Sequence, residues 1–420
     1  MAAMRRRRLI RAVQGTGTSA ATGNDRSLTV SEPGSGFRLF YLDNLKWVLI
    51  AAVIVSHAAT AYGAIGAWLY EEPTLSPVVK TVFSALNDVG GLFALGTFML
   101  VAGLLTPPAL ARKGLGKFVR DRLLRLGLPV VAAVVLVTPV MVWMIVAVTG
   151  YRLTLAAYVR YQLRWLDPGP MWFAAVLLFF TLCYAGWRAV RPAGKPEGES
   201  LQMRHVLVAA ALIAVLSFAV RLAFPIGSQQ PLAAQFWQWP RLAVLFAFGV
   251  MAWQRGWLAA RTPAPIRRAC WVASAVAIAA LLGALAATGF ATGPYSGGWH
   301  WQAALTAGVE GVLSVAASLA LVDLFRQVGS WHGRFARSLS RHSYSAYLLQ
   351  LPVLVALELG LWRFAWPGDV KLALTAPVGL AICFGLPWAF RNAVTVASRR
   401  RGTAGPPPGE QAELDRPQAA

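Results

Sequence analysis

Charge is scarce in this chain, and acidic charge is scarcest. Asp, Glu, Lys and Arg make up 13% of its 420 residues, with 17 acids against 39 bases. Hydrophobic residues make up 57%, and the mean hydropathy is +0.54. A soluble globule of this length needs far more polar surface, so an ordinary soluble protein is excluded and an integral membrane protein is implied. Cysteine is nearly missing: Cys183, Cys270 and Cys383 each sit inside an apolar run and read as small buried hydrophobes. Neither a disulfide framework nor a metal site is expected from them. The basic N-terminal stretch has no nearby apolar h-region or cleavage site, so it is not expected to be a signal peptide. No repeat of 20–50 residues is evident.

What the chain does have is a series of long apolar runs. Ten reach helix length, roughly 45–66, 85–105, 126–149, 170–190, 204–224, 238–256, 267–288, 302–325, 343–363 and 372–394. The expected fold is all-α, a polytopic bundle of about ten transmembrane helices over residues 37–398. A disordered basic N-tail over 1–36 and a disordered Pro-, Gly- and Glu-rich C-tail over 399–420 flank it. The net charge of +22 raises nucleic acid as a partner, but its distribution follows the membrane, so no nucleic acid is expected. With the N-terminus inside, thirty of the 39 Lys and Arg fall on inner segments. Eight fall on outer ones, Lys80, Arg152, Arg160, Arg164, Arg221, Arg241, Arg363 and Lys371, and Lys46 sits at the inner mouth of the first span. This bias predicts both termini in the cytoplasm of a cell inner (plasma) membrane, with the basic N-tail touching membrane lipid.

Ionisable residues inside the spans are where function is expected. Of five histidines only His57 lies well inside a span; His205, His332 and His342 fall in or beside inner loops and His300 in an outer one. Eleven positions separate His57 from Lys46, about 16 Å of depth or roughly half the hydrocarbon core. An imidazole there is costly to bury and marks a functional site by default. The alternative is a single hydrogen bond to a carbonyl across a helix interface. Glu310 is expected at a matching depth, about 12 Å from the outer end of its own span. A carboxylate that orients an imidazole makes it a general base, so His57 and Glu310 form the candidate catalytic pair. The alternative for Glu310, flanked by Gly308 and Gly311, is a protonated packing residue bonded to another helix. Asp88, Asp323 and Glu358 lie nearer span ends and rank as weaker partners for His57.

A second cluster follows the second span, running from Lys113 through Lys117, Phe118, Arg120, Asp121, Arg122 and Arg125 to Pro129. Arg122 and Arg125 are three apart and share a helical face. With Lys117 and Arg120 they form a candidate grip for a polyphosphate arriving from the cytoplasm. The alternative is a positive-inside loop that only sets topology.

These residues resemble the acyltransferase-3 group of membrane acyltransferases, which includes polysaccharide O-acetyltransferases and the periplasmic-glucan succinyltransferase. Tyr41-Leu42-Asp43-Asn44-Leu45-Lys46 followed by Ser56-His57 is similar to the group's opening motif with its basic-x10-histidine spacing. Phe98 to Gly103, Arg122-x-x-Arg125 before Pro129, Met171-Trp172-Phe173, Arg241 to Gly249, and Ser343-Tyr344-Ser345-Ala346-Tyr347 to Pro352 resemble its later motifs in order. Lys46 stands where the group carries arginine, Ala102 where it carries serine, and Gln350 where a histidine is common.

The resemblance implies an O-acyltransferase with no bound cofactor and acyl-CoA as co-substrate. Lys46, Arg120, Arg122 and Arg125 would bind the acyl-CoA, and His57 would serve as general base or brief acyl carrier. Trp172 and Tyr347 would contact substrate. The acyl group, acetyl or succinyl, would pass to a hydroxyl of a cell-envelope glycan, glycolipid or secreted metabolite. The aromatics Trp165, Trp172, Trp237, Trp239, Tyr295, Trp299 and Trp301 offer sugar-stacking faces, with the interfacial belt as the alternative. The rival reading is a proton-coupled secondary transporter with His57 and Glu310 as its relay.

Overall fold

The computed structural model describes residues 40–191, 198–258, 261–288, 293–329 and 333–402, with side chains as far as 393. The N-tail over 1–36 lies outside the described residues, as do Lys195, His332 and residues 403–420 of the C-tail. Every regular element among the described residues is helical. The first is α1 (Phe40–Ala61), followed by α2 (Pro77–Lys113) and α3 (Leu115–Arg122). From α3 the chain continues through α4 (Leu128–Ala132) into α5 (Thr138–Thr149). Then come α6 (Leu155–Trp165), α7 (Trp172–Val190), α8 (Met203–Ala223), α9 (Trp239–Arg255) and α10 (Ala264–Ala287). A short α11 (Gly293–Ser296) precedes α12 (Trp301–Val328), α13 (Arg334–Leu361) and α14 (Gly368–Gly402), the last running into the first residues of the expected C-tail.

Among the described residues nine helical segments are long and apolar enough to cross a bilayer. The remaining expected span, over 238–256, forms α9, whose 17 residues rise about 26 Å, at the lower end of what crosses a ~30 Å hydrocarbon core. Pro240 in its first turn and Gly256 after its last residue set that length. The centre of the bundle is α12: 78% of its apolar window is buried, against 17–50% for the other spans.

Close helix crossings depend on missing side chains. A Cβ on Gly103 of α2 would run into the Phe246 carbonyl of α9, and one on Gly249 would run into the Leu100 carbonyl of α2. With lipid tails as apolar as any side chain, such backbone-to-backbone approach is what drives helices together. Gly311 of α12 meets the Ala210 carbonyl of α8 in the same way.

Between α3 and α5 the helix is interrupted twice by five-residue π turns, Leu123–Gly127 and Ala133–Val137. Pro129 and Pro139 follow them, and a proline has no N–H for the carbonyl one turn back. The orphaned carbonyls find side chains instead. The Tyr344 hydroxyl donates to the Arg125 oxygen, and the Gln162 amide donates to the Val134 oxygen at 2.9 Å.

Two sequence expectations are corrected here. Cys183 faces outward, unlike the buried Cys270 and Cys383, because it lies on the outward side of α7. Arg221, Arg241 and Lys371, counted as outer-segment charges, are buried in ion pairs. They therefore carry no topological signal.

Candidate active site

His57 sits one turn before the end of α1, and what surrounds it depends on the next fifteen residues. After Ala61 the chain doubles back at Gly63, whose φ of +115° suits glycine and whose Cβ would crowd Pro73. Backbone hydrogen bonds pin the returning strand of chain to the helix end: Glu72 N–H to Ala61 O at 2.7 Å, and Thr74 and Leu75 N–H to Tyr62 O at 3.0 and 3.1 Å. The Asn87 amide of α2 holds the tip through Ile65 O at 2.9 Å. This fold-back lays the Trp68 indole on the imidazole, with ring centroids 4.5 Å apart and planes 28° from parallel.

The Trp68 Nε1–H donates to both oxygens of Glu358, at 3.2 and 3.0 Å. Glu358 belongs to α13 and is fully buried. Two turns earlier on the same helix Gln350 reaches the imidazole. Neither the His57 Nδ1 nor either Gln350 amide atom completes a hydrogen bond of standard geometry. An enclosed polar atom left without a partner costs about 1–3 kcal/mol, so this pocket of orphaned atoms is suited to a polar guest.

The fold-back is clamped from the far side. Lys371 of α14 pairs with Glu72 at 2.5 Å, and the Tyr70 hydroxyl donates to Glu72 at 2.7 Å. Burial, and then the Glu72 carboxylate, push the Tyr70 hydroxyl well above the ordinary phenol range. The Ser76 N–H donates to Asp369 at 3.0 Å, and the Gly368 N–H donates to Thr74 O at 3.2 Å. Loop, α1, α2 and α14 thus form one end of the site.

Helix α13 supplies the other wall in successive turns. Tyr344 caps the Arg125 carbonyl, the Tyr347 hydroxyl donates to Pro170 O at 2.7 Å beside Trp172, and Gln350 faces His57. From Tyr344 to Gln350 is about 9 Å along the helix. The basic element, the start of α7 and the imidazole are therefore strung along one side of α13.

Of the residues expected to grip phosphate, Arg120 is exposed on α3. Arg122 stacks on the Phe118 ring at 4.9 Å, with its Nε enclosed and without a partner. Arg125 is held by Asp121, Nε to Oδ1 at 2.8 Å, and Asp121 also pairs with Lys113 at 2.8 Å. Lys46 pairs with Asp43 one turn earlier on α1 at 2.7 Å. Trp172 and Tyr347 lie near each other through Pro170, as described. Of the other aromatics, Trp299 and Trp301 are exposed, whereas Tyr295 is buried and Trp239 is tied to Ala234 O.

Glu310 is not the partner of His57. Its oxygens are taken by two arginines, Arg221 Nη2 at 2.5 Å and Arg241 Nη1 at 2.8 Å, and all three side chains are at most 2% exposed. Gln238 accepts a further bond from Arg241. Depth along a span says nothing about which way a side chain faces, and Glu310 faces α8 and α9. The bonded-packing alternative describes it, with guanidinium partners from two helices.

The family model described as an acyltransferase domain matches residues 39–392. The chain belongs to the acyltransferase-3 family. No curated protein and no solved structure matches it.

Within this acyltransferase the family-like motifs divide into two groups. The opening motif, the Arg122-x-x-Arg125 element, Trp172 and the Tyr344–Gln350 stretch converge on α13 and His57. The Phe98–Gly103 and Arg241–Gly249 stretches meet each other at the α2–α9 crossing, and Arg241 belongs to the Glu310 cluster. Sequence reasoning missed Trp68 and underrated Glu358. A tryptophan and two glycines shortly after a span that ends just beyond a histidine were the available signal.

Proposed function

We propose that this membrane acyltransferase moves an acetyl or succinyl group from cytoplasmic acyl-CoA to a hydroxyl of a cell-envelope glycan, glycolipid or secreted metabolite, with both termini in the cytoplasm. The observation that carries the chemistry is the half-buried His57 imidazole stacked on Trp68 beside Gln350. The acceptor hydroxyl gives its proton to the imidazole as its oxygen attacks the thioester carbonyl. The C–S bond breaks, and the departing thiolate takes the proton back from the imidazolium. An imidazolium facing an indole is stabilised by the ring's electron density, by about 2 kcal/mol where water is excluded. The Glu358 carboxyl group, accepting from Nε1, holds the indole in that position. Trp68 and Glu358 are thus positioning residues for His57.

The phosphates of the donor are assigned to the Lys46 end of the bundle, where Arg120 is exposed and Arg122 lies over the Phe118 ring. Arg125 is exposed there too, with its Nε held by Asp121. The transporter reading loses its relay, because Glu310 is committed to two arginines. The test is transfer of label from radiolabelled acetyl- or succinyl-CoA to an envelope glycan fraction by the purified protein. His57→Ala abolishes transfer; retention of the wild-type rate in that variant would falsify the mechanism.

A further inference from the structure

One of the apolar segments, Leu155–Val190, is not a continuous helix. Helix α6 stops at Leu166, whose φ of +48° is left-handed, and Asp167-Pro168-Gly169-Pro170 follows before α7 begins at Trp172. Two prolines within three residues cannot carry a helix onward. The break lies deep. A Cβ on Gly169 would sit 3.5 Å from the Thr138 hydroxyl oxygen of α5 and 3.4 Å from the Leu351 side chain of α13. Thr138 opens α5, eleven residues before Thr149 closes it, which is about 16 Å along the axis and roughly half the hydrocarbon core.

The carbonyls of the break are held by protein donors: Asp167 O by Gln162 at 3.2 Å, Pro168 O by the Met171 N–H at 3.2 Å, and Pro170 O by Tyr347 at 2.7 Å. The Asp167 side chain is different. Its Oδ1 accepts from the Gly169 N–H at 2.8 Å and the Tyr161 hydroxyl bonds it as well, yet it stays only half-buried. A carboxyl group accessible at this depth cannot face hydrocarbon, so it borders a polar space. A second observation agrees. Thr138 Oγ1, Tyr158 Oη and Gln162 Oε1 are enclosed around the break without partners, and Thr138 is 2% exposed. Thr60, Thr97, Thr106, Thr149 and Thr181 each donate to the carbonyl four residues back. For Thr138 that carbonyl is Val134 O, which Gln162 occupies at 2.9 Å. Tyr158 and Gln162, four apart, share the inward face of α6, whereas Leu155, Val159 and Leu163 form an exposed apolar face.

We propose that the broken span borders a water-filled cleft, and that Asp167 is the docking point in it for a hydroxyl-rich acceptor. The docking role rests on the acyl-transfer reading above and deepens it; the cleft itself does not depend on that reading. A carboxyl group accepts from neighbouring hydroxyls of a sugar ring, and the half-buried Trp172 at the start of α7 offers an indole face for the ring's C–H side. Tyr347, which ties down Pro170, stands one turn before Gln350 on α13, about 4.5 Å along the axis, and Gln350 faces His57. An acceptor seated at the break therefore has its next hydroxyl directed along α13 toward the imidazole. Two sources carry this chemistry, a water-soluble glycan and the sugar of a glycolipid.

The cleft is tested by thiol labelling of the full-length chain in phosphatidylcholine nanodiscs, with the exposed cysteine removed by Cys183→Ala. A charged, membrane-impermeant methanethiosulfonate needs a thiolate in water, so Asp167→Cys should react at least about tenfold faster than Val159→Cys on the apolar face of α6. Equal rates place the break against lipid and overturn the cleft. The docking role is tested with Asp167→Asn, which keeps an oxygen for the Gly169 N–H but replaces the other with an amide nitrogen. Label transfer is followed to a water-soluble envelope glycan fraction and to an organic-extracted glycolipid fraction. The half-saturating acceptor concentration should rise roughly tenfold for one of them, identifying the source, while the maximal rate and CoA affinity stay near wild type. Unchanged half-saturation for both fractions overturns the docking role. A wild type that transfers label to neither fraction sinks the acyl-transfer reading. Protection then decides the docking: slower labelling of Asp167→Cys in the presence of either fraction supports it, and unprotected labelling overturns it.

Discussion

Replacing Glu310 with alanine separates a structural carboxylate from a catalytic one. Its two oxygens hold Arg221 and Arg241 at 2.5 and 2.8 Å in a cluster whose side chains are 0–2% exposed. Arg221 Nε and Nη1 and Arg241 Nε already lack partners, so Glu310 provides most of what compensates these charges. Without it, two guanidinium ions about 5 Å apart at an effective dielectric of about 20 repel by about 3 kcal/mol. Each also loses its strongest hydrogen bond, and breaking buried pairs of this kind costs about 3–5 kcal/mol in total. Glu310→Ala is therefore expected to unfold far more readily in detergent, read as a lower midpoint for loss of the monodisperse peak after heating. Label transfer per folded molecule should persist. The triple variant Arg221→Met/Arg241→Met/Glu310→Leu, which removes all the charges together, should recover much of the loss. If Glu310→Ala melts with the wild type while label transfer disappears, the carboxylate acts in the chemistry and the structural assignment is wrong.

Other perturbations test the rest of the arrangement. Trp68→Leu removes the indole from His57 and is expected to slow label transfer about tenfold, equivalent to about 1.4 kcal/mol of lost imidazolium stabilisation; unchanged transfer refutes the stacking role. Gly249→Val forces α9 away from the Leu100 carbonyl and should destabilise by at least about 1–3 kcal/mol, lowering the thermal midpoint. A wild-type midpoint in that variant would show that the crossing is not tight. Outside the spans, the hydrogen bond from Arg255 holds the Glu199 carboxyl below its ordinary value of 4.5. Because the folded pKa is depressed, this contact stabilises above the ordinary value and fades as pH falls through the lower folded value. The difference in midpoint between wild type and Glu199→Gln should therefore be present at pH 7 and vanish in acid below the ordinary carboxylate range. A difference that persists or grows there contradicts the assignment.

The membrane class, the helical architecture and nearly all the spans were legible in the residues, because apolar runs of bilayer length have only one stable conformation in lipid. His57 was legible too, since an imidazole in such a run needs a reason to be there. The pairing of His57 with Glu310 failed for a geometric reason. Depth fixes one coordinate of a side chain, whereas partnership also requires the helix azimuth and the choice of neighbour. Arg221 and Arg241 were counted as outer charges because they lie within a turn of their span ends, and the sequence does not show that α8 and α9 turn them inward onto α12. Trp68 lies outside every span, so a search confined to spans passed over it.

Composition and spacing alone settled that this is a polytopic helical membrane protein with one histidine well inside a span and a basic cluster near an expected span entry. Those properties depend only on local transfer energies and the 1.5 Å rise of a helix. The tertiary structure alone decided which charges neutralise each other, that α13 gathers the motif residues on one side, and that a tryptophan rather than a carboxylate covers the imidazole. Each of these follows from backbones approaching at glycines and from a loop folding back over α1, contacts between residues as much as 299 positions apart in the chain.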